Sequence, residues 1–135
     1  MITRDQVIPM LLAACPSFSD KLAEAREFYE DDDLLYVYFG EFAHHLISLY
    51  KDEKTEEFEA VFDLAERLHI EGDDYVREVA TIGMLESIQN VAGNSGIDRE
   101  TFLPFLKPES IKWWTNLNDF WKGKTAYVGG PSRNE

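Results

Sequence analysis

The sequence predicts a compact, single-domain, all-α fold of about six or seven antiparallel helices. Apolar residues recur at intervals of three and four along most of the 135 residues. The breaks between these stretches contain proline, glycine or runs of acidic residues. The one strand-like stretch, LLYVYFG at 34–40, continues into Phe42, Leu46 and Tyr50, which have helical spacing.

Helix starts and stops can be placed in order along the chain. Thr3, with Gln6 three residues later as in a capping box, begins the first helix. Gly72 suits the left-handed position that ends the fourth helix, and Asp73 or Asp74 caps the fifth. The predicted helices are 4–14, 18–30, 34–52, 56–70, 74–91, 99–106 and 109–122.

This pattern predicts one helical domain over 1–122 and a flexible tail over 123–135. The single cysteine, Cys15, cannot form an internal disulfide, which indicates a reducing compartment. No apolar run approaches the length of about 18 residues that a membrane span needs. We therefore expect a cytoplasmic protein with no membrane partner.

The segment LAAC at 12–15 is similar to a bacterial lipoprotein cleavage box. The stretch before it is short and interrupted by Pro9, and its lone base, Arg4, is followed by an acid. Secretory signals have a basic start and about 7–15 apolar residues. We therefore interpret the segment as part of the first helix.

Negative charge is concentrated in one part of the chain. The formal net charge is −13, and residues 20–74 carry 18 acids against 5 bases. Such a field repels nucleic acid, whose binding needs Lys and Arg, and it attracts basic proteins and steers their approach. Acidic helix faces also keep a protein soluble, so the charge by itself leaves both explanations open.

The stretch EGDDYVREVATIGMLESIQN at 71–90 predicts the central helix of the fold. Its apolar residues cover most of the helix circumference, which is typical of a helix packed on several sides. Ala80, Gly83 and Ser87 line up as a groove of small residues that a neighbouring helix can approach closely.

Two Glu-x-x-His motifs, Glu41–His44 and Glu66–His69, have the pattern with which four-helix bundles hold a di-iron centre. Glu41 and His44 lie opposite the apolar stripe of their helix, where they cannot meet other ligands in a core. His69 lies in the last turn of its helix, where an imidazole can bind helix carbonyls. We therefore predict no metal site, and we interpret His45 as a surface or boundary residue.

No catalytic residue is predicted. Cys15 is flanked by apolar residues and Pro16, with no histidine near it in sequence, which is typical of a buried, unreactive thiol. The chain has no Gly-x-Ser-x-Gly elbow, phosphate-binding loop or dinucleotide fingerprint. We therefore predict no cofactor.

The segment PESIKWWTNLNDFWKG at 108–123 contains all three tryptophans. Trp113, Leu117, Phe120 and Trp121 share one arc of a helix, and Trp114 lies at its edge. We expect this helix to pack on the core through its aromatic side chains. A second interpretation leaves Trp114 exposed as an anchor for a partner, because tryptophan is common in interface hot spots.

The acidic segment offers two docking edges for a basic protein partner, one at 30–33 and one at 56–63. We favour the first edge, because it lies beside several tyrosines and aromatic side chains dominate interface hot spots. The candidate partner-binding residues are Glu30, Asp31, Asp32, Asp33, Tyr36, Glu56, Glu57, Glu59, Asp63 and Trp114.

Two stretches carry a resemblance to known proteins: EEFEAVFDLAERLHIEGDDYVREVATIGMLESIQN, and then PESIKWWTNLNDFW, over about 56–121. They resemble a poorly characterised family of small bacterial helical proteins, of the kind found among immunity proteins of toxin–immunity systems. Within them, DDYVREVATIGML is similar to the second helix of a HEAT repeat, with Val76, Arg77 and Ala80 in matching places. The resemblance implies no catalytic residue, and residues before 56 lie outside it.

The expected function is protein binding without catalysis. Our first hypothesis is an acidic immunity protein that neutralises a cognate bacterial toxin, since charge complementarity serves fast and specific inhibition. A helical adaptor or scaffold is the second hypothesis. A small di-metal enzyme that uses the two Glu-x-x-His motifs is the third.

Overall fold

The computed structural model describes residues 1–29 and 34–121, except for the side chains of Phe120 and Trp121. Within these residues the chain forms seven α-helices and no β-strand, which confirms the predicted all-α, single-domain class. The helices are α1 (Arg4–Ala14), α2 (Ser19–Tyr29), α3 (Leu35–Lys51), α4 (Phe58–Glu71), α5 (Asp74–Glu78), α6 (Glu86–Asn94) and α7 (Pro108–Trp121).

Three further helical segments connect these elements. A π-helical segment (Val79–Leu85) joins α5 to α6, a first 3₁₀ helix (Pro16–Phe18) precedes α2, and a second (Arg99–Phe105) precedes α7. The second was predicted to be α-helical. It contains Pro104, which has no N–H to donate to an α-helical ladder.

The predicted tail 123–135 and the acidic run 30–33 lie outside the described residues. None of the described helices combines the length and the apolar character that crossing a bilayer requires.

The central helix consists of α5, the π segment and α6, because the backbone is helical at both joins. It contacts α1, α3, α4, α7 and the second 3₁₀ helix. Val79, Ala80, Met84 and Leu85 are fully buried along it. The prediction that this stretch forms the middle of the fold is confirmed.

Helix α3 approaches the central helix closely at Gly83. A Cβ added at Gly83 would lie 3.5 Å from Cδ1 of Tyr36 and 3.3 Å from Cγ1 of Val79. The predicted groove of small residues therefore receives an aromatic ring from α3, and a larger side chain at Gly83 would have to displace that ring.

The prediction that Gly72 is left-handed is wrong, and the left-handed glycine of the described residues is Gly96. Gly72 is extended (φ −74°, ψ 154°). A Cβ at this position would lie 2.5 Å from the Leu68 carbonyl oxygen. Glycine is therefore needed here because there is no space for a side chain, and not because the backbone is left-handed. Gly96 has a φ of 76° and ends α6. Its N–H bonds Gly93 O, and the Ile97 N–H bonds Ala92 O, which is a Schellman motif.

The start of the chain is attached to the turn between α4 and α5. The Ile2 N–H donates to Glu71 O at 2.8 Å, and the Asp73 N–H donates to Ile2 O at 2.9 Å. Asp73 also caps α5, because its side chain accepts from the Val76 N–H at 2.9 Å. The extended conformation of Gly72 is what aligns this turn with Ile2.

Aromatic rings fill the core between α4, the second 3₁₀ helix and α7. Phe62 stacks on Phe105 at 5.8 Å, and Phe102 meets Trp114 edge-on at 6.2 Å. Phe58, Phe62, Phe102 and Trp114 are all fully buried. These contacts pack the second 3₁₀ helix against α4 and α7.

Gly83→Leu is expected to lower the free energy of unfolding by about 1–3 kcal/mol, because the added side chain overpacks the contact with Tyr36. Urea or thermal unfolding measures the change. Gly40→Leu is the matched control, since a Cβ added there has open space within 4 Å. Replacing a glycine inside a helix also stabilises the helix, so this variant should not lose stability. Equal melting temperatures for wild type and Gly83→Leu would contradict the close packing of α3 on the central helix.

Candidate functional site

Four side chains from three separate segments of the chain meet where α1 ends and α2 begins. We call Cys15, Ser17, His45 and Glu57 the Glu57 cluster. The Ser17 hydroxyl bonds Glu57 Oε1 and lies 2.9 Å from His45 Nε2. Cys15 Sγ lies 3.3 Å from Glu57 Oε1, and the Ser17 N–H donates to Glu57 Oε2 at 3.2 Å. The cluster joins the first 3₁₀ helix to α3 and to the start of α4.

Hydrogen-bond directions in the Glu57 cluster follow from its carboxylate, which can only accept. Ser17 therefore donates its single hydroxyl proton to Glu57 and accepts a bond from His45 Nε2–H. Burial by itself would raise the pKa of Glu57, but the bonds from Ser17 and Cys15 and the nearby His45 hold that pKa below its usual range. Glu57 is thus a weak base.

The Glu57 cluster has the residue types of a catalytic triad but a different geometry. In a triad the carboxylate orients the imidazole, and the imidazole removes the serine proton. Here the carboxylate binds the serine, and the Ser17 N–H that could stabilise an oxyanion is bonded to Glu57. Burial raises the pKa of Cys15 to about 11, which keeps its thiol protonated at neutral pH. The arrangement therefore favours a structural role.

His45 is 7% exposed, so the prediction of a surface or boundary histidine is wrong. Ser17 bonds its ring, and the ring of Phe18 lies 5.5 Å away. Burial lowers the pKa of His45, as does the charge of Lys21, while Glu57 opposes them. Sequence spacing placed His45 at the flank of α3 and could not show that the first 3₁₀ helix covers it.

Glu66, from the second Glu-x-x-His motif, caps α7. Its Oε1 accepts from both the N–H and the hydroxyl of Ser110 at 2.9 Å, and its Oε2 accepts from the Glu109 N–H at 3.0 Å. A carboxylate in this position satisfies N–H groups that the first turn leaves unpaired. Burial would raise the pKa of Glu66, but these bonds lower it overall.

His69 links α4 to the π segment. Its Nδ1–H donates to the Ala65 carbonyl at 2.7 Å, which leaves Nε2 as the acceptor for the Thr81 hydroxyl at 2.9 Å. His69 is 6% exposed, and burial lowers its pKa although the Ala65 bond and the charges of Glu66 and Glu109 oppose this. The neutral imidazole is thus the form that the fold favours.

The two Glu-x-x-His motifs do not come together. Glu41 and His44 are exposed on α3, whereas Glu66 and His69 are bonded to α7 and to the π segment. Across residues 1–29 and 34–121, no group of three or more His, Cys, Asp or Glu side chains is arranged to hold a metal ion.

A protein-family model described as "Domain of unknown function (DUF7674)" matches residues 8–122. The chain belongs to the DUF7674 family. The match includes residues before 56, which the resemblance in the sequence left out. No curated protein and no solved structure matches the chain significantly. The immunity-protein resemblance and the HEAT-like signature stay predictions.

In the DUF7674 domain, the acidic residues of the predicted docking edge at 56–63 differ in exposure and in their partners. Glu56 and Glu59 are exposed. Glu57 is half-buried and held in its cluster, so it is not available to a partner in the way that we predicted. Asp63 forms an exposed ion pair with Lys107 at 3.4 Å. The favoured edge at 30–33 lies outside the described residues.

Trp114 and Tyr36 make internal contacts in the DUF7674 domain. Trp114 is fully buried, and the prediction of an exposed anchor there is wrong. The Glu66 cap orients α7 so that Ser110, Trp114 and Leu117 face the core. Tyr36 is half-buried, and its hydroxyl donates to Glu78.

An aromatic pair at the end of α2 is absent from the residues predicted from sequence. Phe28 is 80% exposed and Tyr29 is 36% exposed, with their rings 4.9 Å apart. They line one groove with Glu24 and Glu41. The sequence does indicate this exposure, because Phe28 lies outside the apolar stripe of α2 that contains Leu22 and has several acidic neighbours in sequence.

Glu57→Gln is expected to lower the free energy of unfolding by about 1–3 kcal/mol, because the charged carboxylate accepts bonds from Ser17 and Cys15. Urea unfolding at neutral pH measures the loss. Glu56→Gln, at the exposed neighbouring position, is the matched control and should change stability by less than about 0.5 kcal/mol. Equal effects of the two substitutions would contradict a structural role for Glu57.

Stability is expected to fall as the pH drops below about 6.5, the ordinary histidine pKa. The lowered pKa of His69 means that the unfolded chain takes up a proton before the folded chain does, so folding is favoured most above that pH. Glu57 and Glu66, with lowered pKa values, stabilise the fold at neutral pH and lose that contribution only as the pH falls below their ordinary pKa of 4.5.

Thermal unfolding at about pH 7.5 and about pH 5.5 tests this interval. His69→Gln should show a smaller decrease in melting temperature between the two pH values than wild type. His44→Gln, at an exposed position on α3, should keep the full decrease. The same decrease in wild type and His69→Gln would exclude His69 as a source of acid sensitivity.

Proposed function

We propose that this protein is a non-enzymatic binding module, namely an acidic immunity protein that acts in the bacterial cytoplasm and neutralises a basic toxin. The exposed Phe28 carries the proposal, because its ring is 80% accessible among acidic side chains. Exposed aromatic rings and charges of one sign are together typical of surfaces that bind an oppositely charged protein.

The internal use of chemically capable side chains supports a role without catalysis. Ser17, His45 and Glu57 bond one another, and the Cys15 thiol donates to the same carboxylate. His69 is bonded on both ring nitrogens inside the protein. Each of these groups is hydrogen-bonded inside the protein, and a reaction would require it to give up such a bond.

The distribution of charge supports a basic partner. The acidic excess lies in residues 20–74, which include α2, α3 and α4. Opposite charges accelerate the encounter of two proteins, and that acceleration weakens as salt screens the field. Rapid capture is an advantage for a protein that must neutralise a toxin before it acts.

A growth assay tests the proposed function. The protein encoded beside this chain is expressed alone and together with it in a sensitive host. We expect growth to stop with the neighbour alone and to recover on co-expression. Growth that stops with the neighbour and does not recover on co-expression would contradict the immunity function. A harmless neighbour that binds stably would favour an adaptor instead.

The association rate with the purified partner is expected to decrease as salt increases. Neutralising residues 30–33 to Gln and Asn should slow association and flatten this salt dependence. Glu56→Gln with Glu59→Gln tests the other edge. Wild-type rates and salt dependence in both variants would show that the acidity serves solubility only.

A further inference from the structure

We propose that the groove between α2 and α3 receives a helix of the partner that carries Lys or Arg one turn away from a large apolar side chain. The inference rests on the proposed function in that it assumes a protein partner. It names the part of the surface that binds and the chemistry that the partner must present.

The groove is built from helical spacing on α2. Lys21, Glu24, Ala25 and Phe28 follow one another along one face of that helix, and Glu41 lines the groove from α3. The open volume is about 310 Å³. A groove between two helices suits a third helix, which is a common mode of peptide recognition.

An aromatic platform forms one end of the groove. Phe28 meets Tyr29 edge-on at 4.9 Å, and Tyr29 lies 6.5 Å from the ring of Tyr38, which is fully buried. The exposed ring is therefore supported by a ring that belongs to the core. A large apolar side chain of the partner would remove the Phe28 ring from water, which favours binding.

Two carboxylates line the groove beside this platform. Glu24 is four residues before Phe28, and Glu41 faces the groove from α3. Within the part of the chain that the structure describes, neither Glu24 nor Glu41 has an ion-pair partner. A Lys or Arg between them would be attracted by both carboxylates, while Lys21 at the far end repels a second cation there.

Charge distinguishes a basic partner from other occupants. A second copy of the chain carries a net charge of −13, so its approach brings like charges together. An added strand needs an open sheet edge, and the described residues form no sheet. The groove chemistry therefore fits a basic, amphipathic helix.

A synthetic peptide made only of leucine and lysine, in helical amphipathic order, tests the groove directly. Backbone amide shifts of the labelled protein should change along α2 and α3 around the groove. A leucine–glutamate peptide of the same order should leave them unchanged. Changes centred on 56–63, or spread over all acidic residues, would overturn the proposal.

Substitutions give the second arm of the test. Phe28→Ala should weaken peptide binding about tenfold, and Glu24→Gln with Glu41→Gln should flatten its salt dependence. Two control variants should bind the peptide as wild type does. One is Ile70→Ala, which removes another exposed apolar side chain, and the other is Glu53→Gln with Glu100→Gln, which removes two exposed carboxylates. Melting temperatures check that each variant folds. Wild-type affinity in Phe28→Ala would overturn the groove.

The growth assay separates this inference from the proposed function. Loss of protection in folded Phe28→Ala supports both. Full protection by Phe28→Ala and by the Glu24/Glu41 variant would overturn the groove and leave the immunity function standing. A wild-type protein that binds the peptide in the groove but gives no protection would overturn the immunity function alone. A dimer that Phe28→Ala dissociates would replace the partner helix with a second copy.

Discussion

The fold depends on a central helix that is buried along its middle turns. Val79, Ala80, Met84 and Leu85 have no contact with solvent, so other elements must cover every face of this segment. Helix α3 comes closest, at Gly83, where a glycine leaves room for an aromatic ring. The other helices pack around this buried segment, which gives one domain with one core.

Two glutamates at α4 connect segments that are far apart in the sequence. Glu57 binds the Ser17 N–H, 40 residues away in sequence, and Glu66 binds the Ser110 N–H, 44 residues away. Each carboxylate satisfies N–H groups at the start of a helical segment that has no suitable side chain of its own. Both residues lie at or on α4, so this helix sets the positions of the first 3₁₀ helix and of α7.

These internal bonds also shape what the protein can do. Histidine, serine, cysteine and glutamate are brought together in the Glu57 cluster, but each group holds another in place. Other chemistry lies on the surface, where the exposed Phe28 lines a groove with Glu24 and Glu41. The proposed binding function rests on this surface.

Sequence alone determined the helical class, most helix positions and the burial of the central helix, because apolar spacing and helix-terminating residues act locally. Only the tertiary structure decided which polar side chains are exposed. Glu57 and His45 are polar residues at the edges of their helices, yet Ser17, 40 and 28 residues away in sequence, holds them in hydrogen bonds. Trp114 lies at the edge of its aromatic arc, yet it packs against Phe102 and is fully buried. Phe28 is the converse: its apolar side chain is 80% exposed, because the stripe of α2 that faces the core passes beside it. Which of these side chains are exposed depends on long-range packing, and helical periodicity does not encode such packing.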